Sequence, residues 1–112
     1  MSRLNQSIMK ELDIIKDSVL KTVPAEAIYL FGSYANGIPN EDSDLDIYVV
    51  VPDTVQQNPL DVGVAIRKNL RGTEMNIPMD LMVGTSSVFN RRRQEPTLQK
   101  VIAREGVLLY GG

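Results

Sequence analysis

Apolar residues recur at steps of three and four over the first 23 residues of the chain, with charged residues between them. The positions in this series are Leu4, Ile8, Leu12, Ile15, Val19 and Val23. This spacing is typical of an amphipathic helix, and Pro24 is expected to end it. Two short apolar runs follow at 27–31 and 44–51, and their β-branched and aromatic residues predict buried strands.

Turn and cap residues divide the second half of the chain. Asn58 and Pro59 predict the start of another long helix, because Asn caps helices and Pro suits the first turn, and Gly72 predicts its end. A third strand is predicted at about 75–83. Pro78 within it requires an edge position, a bulge or a strand that begins at that point.

The last quarter of the sequence predicts a short basic helix at about 90–94, a helix that opens at Pro96 and a closing strand at 107–110. Alternating helices and strands are characteristic of a sheet with helices packed on it. We therefore expect an α/β (α+β) fold with a mixed β-sheet of about four strands flanked by helices. A chain of this length fits a single domain, residues 1–112.

Composition excludes several classes of function. The chain has no histidine and no cysteine, which excludes Ser-His triads, thiolate nucleophiles, disulfides and zinc sites built on those residues. A net charge of -2 gives no broad positive field, so direct nucleic-acid binding is not expected. No apolar run is long enough to span a membrane, and the N-terminal residues lack the apolar block of a secretory signal. We therefore expect a cytoplasmic protein whose chemistry rests on carboxylates, hydroxyls, backbone amides and bound ions.

Gly32 and Ser33 stand directly after the first predicted strand. Glycine lets the backbone approach a ligand closely, and amides at the start of a helix present N–H groups to phosphate oxygens. The same pair is common in ordinary turns. It is therefore a candidate phosphate-binding turn only in combination with other residues.

Two aspartates stand at the start of the second predicted strand. Side chains two apart on a strand point to the same face, roughly 7 Å apart, so Asp44 and Asp46 should converge while Leu45 and Ile47 enter the core. Like charges on one face need open solvent or a cation between them. Mg²⁺ prefers hard oxygen ligands of this kind.

Asp80 is the acidic residue of the third predicted strand. Alternation makes it face opposite to Met79 and Leu81, and an unpaired carboxylate among apolar residues needs solvent, a donor or a metal. Taken alone, an exposed position on an edge strand explains it, as Pro78 suggests.

In combination, Gly32-Ser33, ten intervening residues, Asp44-x-Asp46 and the later Asp80 resemble the DNA polymerase beta-type nucleotidyltransferase superfamily, and most closely its minimal stand-alone members. The segments that carry the resemblance are FGSYANGIPNEDSDLDIYVVV and MDLMV. It implies the nucleotidyltransferase fold and a Mg²⁺-dependent transfer of a nucleotidyl group from ATP to an acceptor hydroxyl.

The resemblance also implies roles for these five residues. Asp44 and Asp46 hold two Mg²⁺ ions, and Asp80 completes the acceptor-side ion and helps to deprotonate the incoming hydroxyl. Gly32 and Ser33 bind the β- and γ-phosphates. The three aspartates are thus expected to be both catalytic residues and metal ligands.

No further domain for an acceptor is visible in the sequence, so we expect the acceptor on a partner protein. Minimal members of the superfamily resemble the antitoxin half of a two-gene module, in which they adenylylate a ribonuclease of the HEPN class. Two alternatives stay open. One is a catalytically silent module that binds nucleotide or occludes its partner; the other is transfer to a small molecule or an RNA end, for which a homodimer would have to form the pocket.

Other charged residues are interpreted as structural. Glu41 and Asp42 lie in a polar loop and are expected to be solvated. For the basic run a solvated helix face is favoured over contact with triphosphate, RNA or an acidic partner; its members are Arg91, Arg92 and Arg93. Asn36 stands where the superfamily often has a basic residue after the glycine-serine turn.

Overall fold

The computed structural model describes residues 6–40 and 43–111. In chain order its elements are α1 (Gln6–Thr22), β1 (Ala27–Phe31), α2 (Ser33–Asn36), β2 (Leu45–Val51), α3 (Pro59–Leu70), β3 (Met79–Thr85), α4 (Ser86–Arg92), α5 (Leu98–Glu105) and β4 (Val107–Gly111). The predictions made for Leu4, Glu41 and Asp42 lie outside the described residues.

The four strands form one mixed sheet in the order β3-β2-β1-β4. β1 is antiparallel to both β2 and β4, whereas β2 is parallel to β3. A parallel pair needs a long crossover, and α3 supplies it. The predicted fold class, a mixed sheet of about four strands flanked by helices, is confirmed, and β3 lies at an edge as Pro78 suggested.

Helices cover both faces of the sheet. α1 and α3 contribute to a core built on Leu45, Ile47 and Val49, which are fully buried. On the opposite face Tyr48 and Val50 form a smaller cluster with residues of α4 and α5. β2 is therefore buried on both sides, which explains why its sequence is a continuous apolar run after Asp46.

Glu11 of α1 anchors the loop before β3. Its side chain is buried, and its Oε1 accepts hydrogen bonds from the backbone N–H groups of Asn76 at 2.9 Å and Ile77 at 2.8 Å. These two amides bond to a helix side chain in place of a strand neighbour. The third strand starts at Met79, directly after Pro78, and not near residue 75, and the hydrogen bonds to Glu11 attach the loop before it to α1.

α4 and α5 also begin at other residues than predicted. Their starts are capped by side chains that the helical spacing of apolar residues does not reveal. Asp53, which follows β2, accepts a hydrogen bond from the N–H of Ser87 at 3.0 Å. This acceptor, together with the end of β3, places α4 at Ser86–Arg92 instead of 90–94. α5 begins after Thr97, whose hydroxyl accepts from the N–H of Lys100 at 3.3 Å, so Pro96 precedes the helix.

No helix within residues 6–40 and 43–111 has the length and apolar character that crossing a bilayer requires.

Replacement of Glu11 tests its structural role. We expect Glu11→Ala to lower the free energy of unfolding by about 2 kcal/mol, because two partly buried amides lose their acceptor. Glu11→Gln keeps a carbonyl oxygen for those amides and should cost roughly half as much or less. Urea unfolding of the two variants makes the comparison, and equal losses would contradict the assignment.

Candidate active site

Asp46 lies in a row of paired residues that crosses three neighbouring strands. It pairs with Phe31 of β1 on one side and with Asp80 of β3 on the other. Neighbours in a row of a sheet project to the same face, so the carboxylates of Asp46 and Asp80 lie on one side. Adjacent strands are about 4.8 Å apart, which brings the two side chains together.

The buried residues of the two strands explain this orientation. Leu45 and Ile47 are fully buried, and Met79 and Leu81 pack against the same core. Because side chains alternate along a strand, Asp46 and Asp80 are directed to the opposite face. The sequence prediction that Asp80 faces away from Met79 and Leu81 is therefore confirmed.

Asp44 lies immediately before β2 and is exposed to solvent. It stands two residues before Asp46, as the predicted pair requires, although the strand begins one residue later than expected. Electrostatics connects all three acids. The pKa of Asp46 is raised above its usual range, first by burial, then by the charge of Asp80 and then by that of Asp44.

Nothing in the described part of the chain neutralises these acids. The salt bridges found there join other residues, Lys10 with Glu74 and Arg104 with Glu105. The carboxylates of the site therefore repel one another, and a bound cation would reduce this repulsion.

Gly32 is the residue that brings the turn after β1 against Asp46. Its φ is 77° and its ψ is -156°, a region that essentially only glycine occupies. A Cβ at this position would overlap Oδ2 of Asp46. The absence of a side chain thus lets backbone and carboxylate approach closely.

Ser33 opens α2 directly beside this contact. The turn is closed by hydrogen bonds from the N–H of Asn36 to the Gly32 carbonyl at 3.0 Å and from the N–H of Ile38 to the Ser33 carbonyl at 3.1 Å. The first amides of a helix lack internal partners, so they can bind an anion. The structure therefore brings the predicted glycine-serine turn next to the predicted acids.

The donor set suits a hard divalent cation, because it consists of carboxylate oxygens beside an amide-bearing turn. Among residues 6–40 and 43–111, no group of three or more acidic side chains is arranged so that it could hold a metal ion by itself. Mg²⁺ commonly keeps several waters and binds through one or two carboxylates plus substrate phosphates. The residues therefore fit an ion that arrives with a triphosphate.

A cavity beside Gly32 was not foreseen from the sequence. It measures about 290 Å³, and Phe31, Asn36, Leu98 and Val101 contribute to its lining. Leu98 and Val101 of α5 are 41% and 43% exposed. Only the way α5 packs beside the turn reveals this space, so no sequence signal could have identified it.

The basic run 91–93 lies at the end of α4. All three arginines are exposed, and Arg93 lies 5.6 Å from the ring centroid of Phe89. Arg92 donates from Nε to Oε1 of Gln99 at 3.2 Å.

Substitutions at two glycines with similar φ compare a crowded position with an open one. Gly32 and Gly72 both have φ near +80°, but a Cβ at Gly72 would meet no atom within 4 Å. Gly72→Ala should therefore cost about 1–2 kcal/mol from strain alone. Gly32→Ala should cost clearly more, because the φ and ψ of Gly32 are restricted to glycine and the added Cβ would overlap Asp46. It should also weaken Mg²⁺-dependent triphosphate binding. Thermal unfolding and calorimetry measure the two effects, and equal behaviour of the variants would contradict the close approach.

Solved structures resemble this fold. A protein described as a nucleotidyltransferase from Sulfolobus solfataricus superimposes with a TM-score of 0.61 and 23% identity, covering 92% of this chain and 82% of its own. A toxin-antitoxin complex with AMP-PNP gives 0.53 and 22%, and a mutant of the toxin-antitoxin pair MntA-HpeT gives 0.52 and 19%. Each of these two covers 90% of this chain and 73% of its own. At such identities the likeness shows the fold.

Sequence comparison extends the likeness to a family. A curated relative, the protein adenylyltransferase MntA of Shewanella oneidensis, is 38% identical over 55 residues, which cover 49% of this chain and 36% of the relative. The match thus spans about a third of that relative's length. The family model described as polymerase beta, nucleotidyltransferase matches residues 13–112. The chain therefore belongs to the polymerase beta nucleotidyltransferase family.

Proposed function

We propose that this protein moves AMP from ATP onto a hydroxyl of a partner protein. In this proposal the partner is a toxin of the HEPN class and the transfer silences it, so the chain acts as an antitoxin. The observation that carries the proposal is the in-register pair of Asp46 and Asp80 beside Gly32. Uncompensated acids next to an amide-bearing turn are suited to Mg²⁺ and triphosphate together.

The glycine-serine turn and the three aspartates have different roles in this proposal. The backbone of Gly32 and the hydroxyl and amide of Ser33 hold the β- and γ-phosphates. Asp44 and Asp46 would hold two Mg²⁺ ions, and Asp80 would share the ion on the acceptor side. When bound, these ions neutralise the triphosphate and lower the pKa of the acceptor hydroxyl.

The reaction is an in-line displacement at phosphorus. The acceptor oxygen forms a bond to the α-phosphorus while the bond from that phosphorus to the bridging oxygen of the β-phosphate breaks. Pyrophosphate leaves, and the hydroxyl proton passes to the Asp80 carboxylate. Because catalysis is mainly positioning and charge neutralisation, the lack of histidine is no obstacle.

Two observations on relatives support ATP and a protein acceptor. MntA of Shewanella oneidensis is a protein adenylyltransferase, and it matches 49% of this chain. A toxin-antitoxin complex that shares the fold was solved with AMP-PNP, an ATP analogue. For this chain, a toxin-antitoxin role predicts that the acceptor is encoded by the neighbouring gene.

Labelling of that neighbouring protein tests the proposal. With Mg²⁺ and α-labelled ATP the wild-type chain should transfer label to it, and EDTA should abolish the transfer. Asp80→Asn and the double variant Asp44→Asn with Asp46→Asn should each reduce labelling by about 100-fold or more, because charge stabilisation in the transition state is lost.

Asp17→Asn is the matched control. This exposed acid of α1 lies outside the site, so Asp17→Asn changes the net charge by the same amount as Asp80→Asn and should leave labelling unchanged. Full labelling by the double variant would contradict transfer through these acids. A double variant that does not label but still neutralises the toxin would show that the chain acts by occlusion.

A further inference from the structure

The edge strand β3 presents unpaired backbone groups next to the candidate site. The N–H of Leu45 donates to the carbonyl of Pro78 at 2.9 Å. This bond fixes the phase of the β2-β3 ladder, that is, which residues of β3 direct their backbone groups toward β2. In a parallel ladder alternate residues bond to the same neighbour, so Leu81 and Val83 direct their N–H and C=O groups away from β2. No strand among the described residues pairs with that side. This edge can therefore accept one more strand.

A contact of Arg67 agrees with this phase. Its Nη1 donates to the carbonyl of Met79 at 3.5 Å, and Met79 has the same phase as Leu81 and Val83. The backbone groups that point away from β2 thus begin at Met79, whose carbonyl Arg67 contacts. The row continues through Leu81 to Val83, whose groups have no strand partner on that side.

An apolar groove runs along this open row. It measures about 320 Å³ and lies between α3 and β3. Leu60 and Val64 of α3, 77% and 47% exposed, form its outer wall, and Leu81 and Val83 form its floor. Gly63 leaves room above that floor, since a Cβ there would lie 3.7 Å from Val83. Open backbone groups beside apolar pockets are the two requirements for strand addition.

The end of the groove near Met79 is basic. Arg67 lines the apolar groove and also a second hollow of about 200 Å³, which Arg71 and Met79 share. Both arginines are exposed. An occupant that carries an acidic residue at this end complements the charge.

We propose that an extended segment of the acceptor protein adds to the edge of β3 as a fifth strand. Its apolar side chains enter the groove, and an acidic residue of the same segment meets Arg67 and Arg71. This inference rests on the proposed transfer to a protein. The segment's alternate side chains lie on the other face of the sheet, where Asp80 is located. A serine, threonine or tyrosine in the row of Asp80 thereby delivers its hydroxyl to the site.

A pair of aspartate substitutions tests the docking surface. Val64→Asp puts a charge into the groove wall, whereas Leu108→Asp puts one on β4 at the opposite edge of the sheet. The two side chains are matched in exposure, at 47% and 46%. The readouts are anisotropy of the fluorescently labelled product of the neighbouring gene and transfer of label from ATP to it.

Val64→Asp should weaken binding of that protein about tenfold or more and slow labelling in proportion, because apolar groove contacts are lost. Leu108→Asp should match the wild type in both assays, and both variants should keep Mg²⁺-dependent ATP binding. If Val64→Asp binds and labels as the wild type does, or if the wild type does not bind the protein at all, the docking proposal is overturned.

Backbone pairing has its own test with the acceptor segment as a synthetic peptide. N-methylation of the amides that face β3 should abolish competition with the full acceptor, while methylation of the intervening amides should not. Equal competition by both peptides would overturn strand addition. A wild-type dimer that Val64→Asp converts to a monomer would also overturn it, because a second copy would then occupy the edge.

The two proposals can fail separately. Binding that depends on Val64 without any Mg²⁺-ATP labelling would contradict the transferase proposal and retain the docking surface. Labelling that is insensitive to Val64→Asp would contradict the docking surface and retain the transferase proposal.

Discussion

The side-by-side placement of Asp46 and Asp80 is the constraint on which the rest of the site depends. The two carboxylates repel each other, yet the register of β2 and β3 holds them in one row. Burial of Leu45 and Ile47 on the other face stabilises that register, at roughly 1.5–3 kcal/mol for each fully buried aliphatic side chain. A slip of one residue would turn these side chains out and the acids in, so the core keeps the acids together.

The direction of the strands assembles the remaining parts at the same end of the sheet. β1 is antiparallel to β2, so the turn at Gly32 lies beside the start of β2, where Asp44 and Asp46 stand. β3 is parallel to β2, so it also starts at that end and contributes Asp80. The placement of β3 at the edge leaves the third acid open to a partner from outside the chain.

Local sequence patterns were sufficient for much of this arrangement. β1 was predicted within its observed bounds, and strand alternation predicted that Leu45 and Ile47 enter the core on the face opposite to Asp46. The cap formed by the Asn58 side chain, which accepts from the N–H of Asp61 at 2.9 Å, was likewise visible in the sequence. These features depend on residues close to one another in the chain.

Features that depend on distant residues escaped prediction. The loop before β3 is held by Glu11, which lies 65 residues before Asn76 in the chain. The pairing of Asp46 with Asp80 requires the sheet register, and the sequence alone could suggest it only through resemblance to a family. The groove along β3 arises from Gly63 and Val64 packing beside a strand that comes later in the chain, and no local pattern indicates it.

The most direct test of the central claim compares the wild type with Asp46→Asn. The free energy of unfolding of each protein is measured against pH, with and without Mg²⁺ and ATP. The raised pKa of Asp46 means that the unfolded chain loses this proton first as pH rises, so the ionised carboxylate destabilises the fold above that range. Without divalent cation, Asp46→Asn should therefore be the more stable protein at neutral pH, and the difference should vanish below about pH 3.8.

Addition of Mg²⁺ and ATP should reverse the order at neutral pH, because only the wild type gains binding energy from the cation. A wild type as stable as Asp46→Asn at neutral pH, or one that Mg²⁺ and ATP do not stabilise, would contradict the account that these acids are held together for a metal ion.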